Sequence, residues 1–341
     1  EKVRWTHFVD ALQVTYDNIV GDILLASGAI AYLGVFTSSY RDEAITAWSE
    51  KLRSAQITCA QVFDLTVVLG EPVEIRQWTI NKLPNDSFSI SNAIMLQNSD
   101  RWPLMIDPQG QANKWVRQTF PENLKVVKQS QGDFVRTLEN AIQFGSPVLL
   151  ENVPENLDPV LETILTKQVV KVGGVAQIQV GDNTVEYDEA FKLFITTKIP
   201  NPHYPPETCV KVNLLNFMAT QEGLEDQMLG ITVLMETPAL AEKREQIVLQ
   251  DAENKKELKD IEDTILRLLK EATGNILDDN VLITTLSDSK IKSDEINVAV
   301  KEAQKVSEVI DKTRRGFKPI AFRVSSLYFC IRDLTSVDPM Y

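Results

Sequence analysis

The sequence predicts an α/β domain built on a parallel sheet, followed by an antiparallel coiled-coil hairpin and a small helical subdomain. Three observations predict it. Between residues 102 and 216, short apolar runs alternate with stretches that suit helices, the pattern of a sheet covered on both faces. Val169 to Tyr187 interrupts that alternation with Gly173-Gly174 and Gly181-Asp182-Asn183 between alternating residues, which reads as inserted β-hairpins. From residue 238 onward, apolar residues recur every seven positions in a charged background.

Taken in order, residues 1–54 read as two or three helices. Val3, Trp5, Phe8, Val9, Leu12, Tyr16, Ile19, Val20, Ile23 and Leu24 fall near a 3.6 period, and the Gly21-Asp22 step is expected to interrupt the first helix. A helix is expected around 60–69, then a break at Gly70-Glu71-Pro72 and a loop-rich region to Ser99. Strands are expected at 104–106, 124–127, 148–150, 193–195 and 210–215, with helices at about 111–119, 133–144 and 157–168.

In the final third, Leu240, Ile247, Asn254, Ile261 and Leu268 form one heptad seam, with Leu258 and Ile265 in the second. A helix of 35 residues extends roughly 50 Å. A break is expected at Gly274-Asn275 and a short helix near Asp278-Asp279. A second long helix after Ser293 repeats Ile296, Ala303, Ile310 and Phe317 every seven. The narrow apolar stripe and wide charged faces favour a hairpin over two ordinary amphipathic helices on a globular core. Asn254 at a seam position suits a register-fixing role, or a tolerated polar residue at the hairpin's wet edge. Gly316-Phe317-Lys318-Pro319 ends the second helix, and an apolar helix runs from Ser325 to Leu334.

The 341 residues suffice for two or three domains of ~100–200 residues each. A net charge of -13 argues against nucleic acid or an anionic membrane surface as main partner. No run of ~18 apolar residues predicts a transmembrane helix. Cys59, Cys209 and Cys330 are far apart and in no metal spacing, which favours a reducing compartment. Only His7 and His203 are present, which argues against a histidine-rich metal site or a Cys/His hydrolase. The chain opens without Met and stops just after an apolar stretch, at Asp338-Pro339-Met340-Tyr341, so it reads as an internal piece of a longer polypeptide.

Trp102-Pro103-Leu104-Met105-Ile106 runs into Asp107-Pro108-Gln109-Gly110-Gln111-Ala112-Asn113-Lys114-Trp115, an apolar strand entering a Pro/Gly turn and a helix. A phosphate-binding loop has this layout, with backbone N–H groups cradling phosphates, a Lys neutralising them and a hydroxyl holding Mg²⁺. Aligned on Gly110, the loop has Asp107 and Ala112 at glycine positions, Asn113 at the lysine position and Lys114 at the Ser/Thr position. Lys114, shifted by one, is expected about 100° around the helix. Downstream, Pro147-Val148-Leu149-Leu150 ends in Glu151-Asn152, where a Walker B strand carries Asp-Glu. Asn152 cannot act as a base.

These residues resemble the fifth AAA+ module of dynein heavy chains. Arg101 through Trp115, Leu138-Glu139-Asn140-Ala141-Ile142-Gln143-Phe144-Gly145 and Val148 through Asn152 carry the likeness. So do Ile195-Thr196-Thr197-Lys198, Asn201-Pro202-His203-Tyr204, Leu214-Leu215-Asn216-Phe217 and Gly223-Leu224-Glu225-Asp226-Gln227. Tyr32-Leu33-Gly34, Phe36-Thr37 and the His203-Tyr204 block look axonemal, and Leu25 to Tyr32 looks most like single-headed inner-arm chains.

The resemblance implies an AAA+ type sheet with a degenerate P-loop and a role for each segment. Residues 1–29 would be the stalk base and the helices leading from it. Residues 30–237 would be the large α/β subdomain, 238–316 a coiled-coil strut (buttress), and 317–341 the small helical subdomain at the junction to the next module. It implies no cofactor in this segment, with ATP and Mg²⁺ in other modules of the parent chain. Expected partners are the neighbouring modules and stalk of the same heavy chain, the microtubule indirectly, and the intermediate and light chains of the complex. The expected location is the cytoskeleton of the ciliary or flagellar axoneme.

Thr197 and Lys198 lie where AAA+ proteins keep a polar sensor residue, and a structural role is expected of them here. His203 in a proline-rich turn is likewise expected to be structural. Three functions compete: a non-catalytic mechanical module, a nucleotide-binding regulatory module with an atypical loop, and a coiled-coil adaptor. Asn113, Lys114 and Asn152 disfavour the second, and a degenerate P-loop core is superfluous in the third.

Overall fold

Apolar β-branched and leucine-rich runs, each too short for a helix, pair into a five-stranded parallel sheet. In this computed structural model the strands are β1 (Trp102–Ile106), β2 (Lys125–Lys128), β3 (Val148–Glu151), β7 (Leu193–Thr197) and β8 (Val212–Asn216). Their order is β2-β3-β7-β1-β8. Leu104 is opposite Ile195 on one side and Leu214 on the other, and Leu149 is opposite Phe194. The structure describes residues 2–271, 291–292, 296, 298–300, 305–306, 308, 310–334 and 337. Contacts divide the chain into two units, residues 1–71 with 81–220, and residues 72–80 with 221–341.

The first unit holds the sheet. Helices α6 (Gln111–Thr119) and α7 (Phe134–Gln143) flank it, so the expected parallel sheet with covering helices is present. Leu104, Leu138, Ile142, Val148, Leu150, Phe191 and Ile195 fill its core. The expected insertion at 169–187 is a three-stranded antiparallel meander of β4 (Val169–Val172), β5 (Val175–Val180) and β6 (Asn183–Glu186). Ile178 and Val180 point into the main core, which ties the meander to the sheet domain.

Two expectations fail in this unit. Helix α1 (Lys2–Tyr32) runs unbroken through Gly21-Asp22. Glycine costs about 1 kcal/mol against alanine in a helix, too little to break one with this many neighbours. Its absent side chain serves the tertiary structure instead: a Cβ on Gly21 would lie 2.2 Å from the Thr58 carbonyl oxygen. The Asp22 carboxylate accepts the Ala60 N–H at 2.8 Å beside that contact. The region expected to be loop-rich before Ser99 also contains a helix, α5 (Ser87–Gln97). Ser and Asn are weak helix formers, but Asp86 caps the N-terminus by accepting the Ser89 N–H, and Phe88, Ala93, Ile94 and Met95 are buried.

The second unit is helical. It contains α4 (Pro72–Ile80), which also lies in the region read as loop, α10 (Gln221–Glu236), α11 (Pro238–Glu271) and α12 (Lys318–Leu334). The last begins seven residues before the expected Ser325, because the turn at Gly316-Phe317 leads directly into it. Helix α10 packs on α11 and α12, and α4 packs on α11. Arg314 is buried and pairs with Asp226 at 3.1 Å and Asp311 at 3.5 Å.

On α11, Leu240, Ile247, Asn254 and Ile261 are half-buried, while Ile296 and Ile310 are buried further along the chain. The side chains of Leu258, Ile265 and Leu268, all of Ala303, and the break and short helix expected at 274–279 lie outside the described residues. No helix among the described residues is long and apolar enough to cross a membrane.

Candidate functional site

In a parallel sheet the loops leaving the carboxyl ends of the strands form the crevice where ligands bind. The loop after β1 sits there, over a cleft of about 320 Å³ lined by Asp107, Pro108, Gln109, Gly110, Asn113, Lys114, Lys128, Glu151, Asn152, Thr196 and Lys198. The strands carrying Asp107 and Glu151 are not neighbours: β7 lies between them and contributes Thr196. Gly110 takes a left-handed φ of 75°, which lets the chain turn from loop into α6.

The helix end above this loop is occupied by a side chain. Asp107 is only 2% exposed. Its Oδ1 accepts the Gln111 N–H at 2.7 Å and its Oδ2 the Asn113 N–H at 2.9 Å. Its own N–H donates to Thr197 O, which pins the carboxylate to β7. Burial pushes the Asp107 carboxyl above its ordinary value, against the opposing pull of the backbone N–H groups of Asn113, Gln111, Gly110 and Ala112. Gln111 and Ala112 are themselves buried and do not line the cleft.

The lysine-position residue is also engaged. Asn113 Nδ2 donates to Glu151 Oε1 at 2.6 Å, and Arg117 Nη2 donates to the same oxygen at 2.5 Å. Arg117 Nε closes the triangle by donating to Asn113 Oδ1 at 2.9 Å. Burial alone would raise the Glu151 carboxyl. The hydrogen bonds from Asn113 and Arg117, with the charges of Arg117 and Lys128, outweigh it and hold the group below its ordinary value. Asn152 is exposed in a left-handed conformation with φ of 53°.

Lys114 is exposed yet still lines the cleft, and Lys198 is exposed on the cleft's lining as well. Thr197 is turned away: its hydroxyl donates to Val153 O at 2.9 Å. Side chains alternate along a strand, so Thr196 is the residue that faces the cleft, 3% exposed and with a hydroxyl that has no hydrogen-bond partner among the described residues. His203 is on the surface, its backbone N–H held by Glu155 at 2.8 Å.

Sequence reasoning missed Arg117, Lys128 and Thr196. Arg117 was detectable as the residue one helical turn after Asn113. Lys128 ends β2, whose adjacency to β3 only the sheet order reveals. Among the described residues no group of three or more His, Cys, Asp or Glu could hold a metal ion.

Comparison with known proteins agrees with this architecture. Residues 76–296 match the family described as the ATP-binding dynein motor region. Dynein axonemal heavy chain 3 is 50% identical to the chain in Mus musculus and 48% identical in Homo sapiens, each over 342 residues. Dynein axonemal heavy chain 1 of Homo sapiens is 47% identical over the same length. Each match covers 100% of this chain and 8% of the relative, so the chain spans only a small part of the relatives' length. A parallel sheet with a loop of phosphate-binding layout, a family match over most of the sequence and full-length likeness to these heavy chains lead to one conclusion: the chain belongs to the ATP-binding dynein motor region family, as a segment of the axonemal heavy-chain type.

Proposed function

We propose that this segment is a non-catalytic mechanical module of an axonemal dynein motor, the fifth AAA+ module of a single-headed inner-arm heavy chain, taking no nucleotide of its own. The observation that carries the reading is the Asp107 carboxylate on the N–H groups of Gln111 and Asn113, with Asn113 and Arg117 both committed to Glu151. The backbone donors at Gln111 and Asn113, the Asn113 side chain and the Glu151 carboxylate are thus already paired within the chain. Residues that act as a catalytic unit fail together when replaced together. Catalytic residues are therefore none here, and ATP with Mg²⁺ belongs to other modules of the parent chain.

In this reading residues 1–29 lead from the stalk base and 30–237 form the large subdomain. Residues 238–316 form the strut, and 317–341 form the small subdomain at the next junction. Support for the strut comes from Lys292, which pairs with Glu257: the chain leaves along α11 past Glu257 and returns to its level within 35 residues. Ile296 and Ile310, on the returning stretch, are buried. The module would close the ring and relay its rearrangement through the strut to the stalk. Its partners are then the neighbouring modules and stalk of the same heavy chain, the microtubule only indirectly, and the intermediate and light chains of the complex in the ciliary axoneme.

A regulatory nucleotide-binding module is the second reading, favoured by the unpartnered Thr196 hydroxyl and by Lys128 and Lys198 around the cleft. The test places Ile261→Ala with Ile310→Ala in the full motor and measures steady-state ATPase with and without microtubules. A relay through the strut predicts that basal turnover persists and microtubule stimulation falls. An unchanged stimulation ratio refutes the relay.

A further inference from the structure

We propose that the Asp107 carboxylate is a tethered anion that occupies the N-terminus of α6 in place of a phosphate, and so holds the loop in one closed shape whatever nucleotide the rest of the motor carries. This rests on the reading that the module takes no nucleotide, and supplies its physical cause. A helix N-terminus attracts negative charge because its first N–H groups lack intrahelical acceptors. Here the two carboxylate oxygens take one N–H each, Gln111 at 2.7 Å and Asn113 at 2.9 Å, as a bound anion would. The residue is 2% exposed, and the bond from its N–H to Thr197 O fixes where the carboxylate stands.

The cleft around it retains the character of an anion site. Lys114, Lys128 and Lys198 line it, and the buried Thr196 hydroxyl faces it without a hydrogen-bond partner among the described residues. Steric closure is not the obstacle, since the space where a Gly110 Cβ would stand is open to 4 Å. What a free phosphate lacks is the donor set, already spent on Asp107. A tethered ligand competes at the effective concentration of its linker, and here the linker is the loop itself. The acid at the end of β3 is treated alike: Glu151 faces the Arg117 guanidinium, so its charge is balanced from within.

The loop is then constitutively in its occupied form, a fixed part in a ring whose other modules cycle. Removing the carboxylate should free the Gln111 and Asn113 N–H groups and turn the loop into an anion site. The experiment is electron cryomicroscopy of the full heavy-chain motor, wild type and Asp107→Ala, with inorganic phosphate added. The expected result is tetrahedral density on the N–H groups of Gln111 and Asn113 in the variant and none in the wild type. An ordered but empty loop in the variant overturns the proposal. Should the alanine variant not fold, Asp107→Val decides by the same criterion, because it is close to aspartate in size and offers no acceptor to either N–H. A parallel wild-type map with ATP and Mg²⁺ separates the two ideas. Nucleotide on the wild-type loop refutes the nucleotide-free reading itself, whereas empty loops in every map refute only the tethered anion.

Discussion

Replacing Arg41 tests how the segment following α1 is fastened to the sheet. Arg41 is 4% exposed, and its Nε donates to Leu33 O at 2.9 Å and Phe36 O at 3.1 Å. Nη2 donates to Gly34 O at 2.8 Å and Asn92 Oδ1 at 2.7 Å, and the guanidinium lies 4.2 Å from the Phe88 ring centroid. Asn92 Nδ2 in turn donates to Asn216 O at the end of β8. Burial lowers the Arg41 pKa to about 10, with Asp42 opposing. Holding the charge in this buried site therefore depends on the acceptors gathered around the guanidinium.

Arg41→Met keeps the apolar stem and removes the donors. Leu33 O retains the Phe36 N–H, Gly34 O retains the Asn216 N–H, and Phe36 is exposed enough for water to serve its carbonyl. Asn92 Oδ1, fully buried, has no other partner among the described residues. An orphaned buried acceptor costs ~1–3 kcal/mol, and the lost charge-assisted bonds are offset by the relieved charge burial, so ~1–3 kcal/mol is the expected net loss. Arg41→Ala adds a cavity and should reach ~3–5 kcal/mol. Urea unfolding followed by tryptophan fluorescence reads both. Paired with Asn92→Ala, Arg41→Met should cost less than the sum of the singles by about 1 kcal/mol. A neutral Arg41→Met, or strict additivity with Asn92→Ala, refutes the argument.

Three further outcomes are expected. Because Glu151 titrates below its ordinary 4.5, its stabilisation is complete above that pH and is lost as pH falls through the lowered folded value. Arg117→Ala should shrink that acid-side loss, read as a flatter dependence of the urea midpoint on pH. Gly21→Ala should destabilise the chain although alanine is the better helix former by about 1 kcal/mol, since its Cβ would meet Thr58 O at 2.2 Å; a raised melting temperature would contradict this. Glu257→Cys with Lys292→Cys should cross-link with a short bifunctional maleimide within one chain, and failure to do so would remove the support for a returning strut helix.

The order of elements was legible in the sequence wherever local pattern decides it. The runs at Leu104, Val126, Leu149, Phe194 and Leu214 are apolar, short and separated by helix-length stretches, and each is a strand of the parallel sheet. Gly173-Gly174 and Gly181-Asp182-Asn183 marked the meander for the same reason, since turn chemistry suits them. Local pattern was silent or misleading where long-range contact outvotes propensity. Asn-Ala and Ser-Phe-Ser in α5 look like loop until Phe88, Ile94 and Met95 are buried. Gly21 looks like a break until Thr58 is seen against it.

At the site, the sequence by itself determined which residue types occupy the loop: Asn113 and Lys114 where a phosphate-binding loop carries Lys and Ser/Thr, and Asn152 after Glu151. It could not determine what those residues do instead. That Asp107 turns inward onto the Gln111 and Asn113 N–H groups depends on its own N–H being held by Thr197, 90 residues away. That Thr196 reaches the cleft at all follows from β7 lying between β1 and β3, alternation along β7 turns Thr197 away, and Arg117 meets Glu151 only because α6 and the end of β3 come together in the fold. Strand order brings distant segments together through pairings no local window contains, and so the tertiary structure alone decided that the loop's donors are met by its own chain.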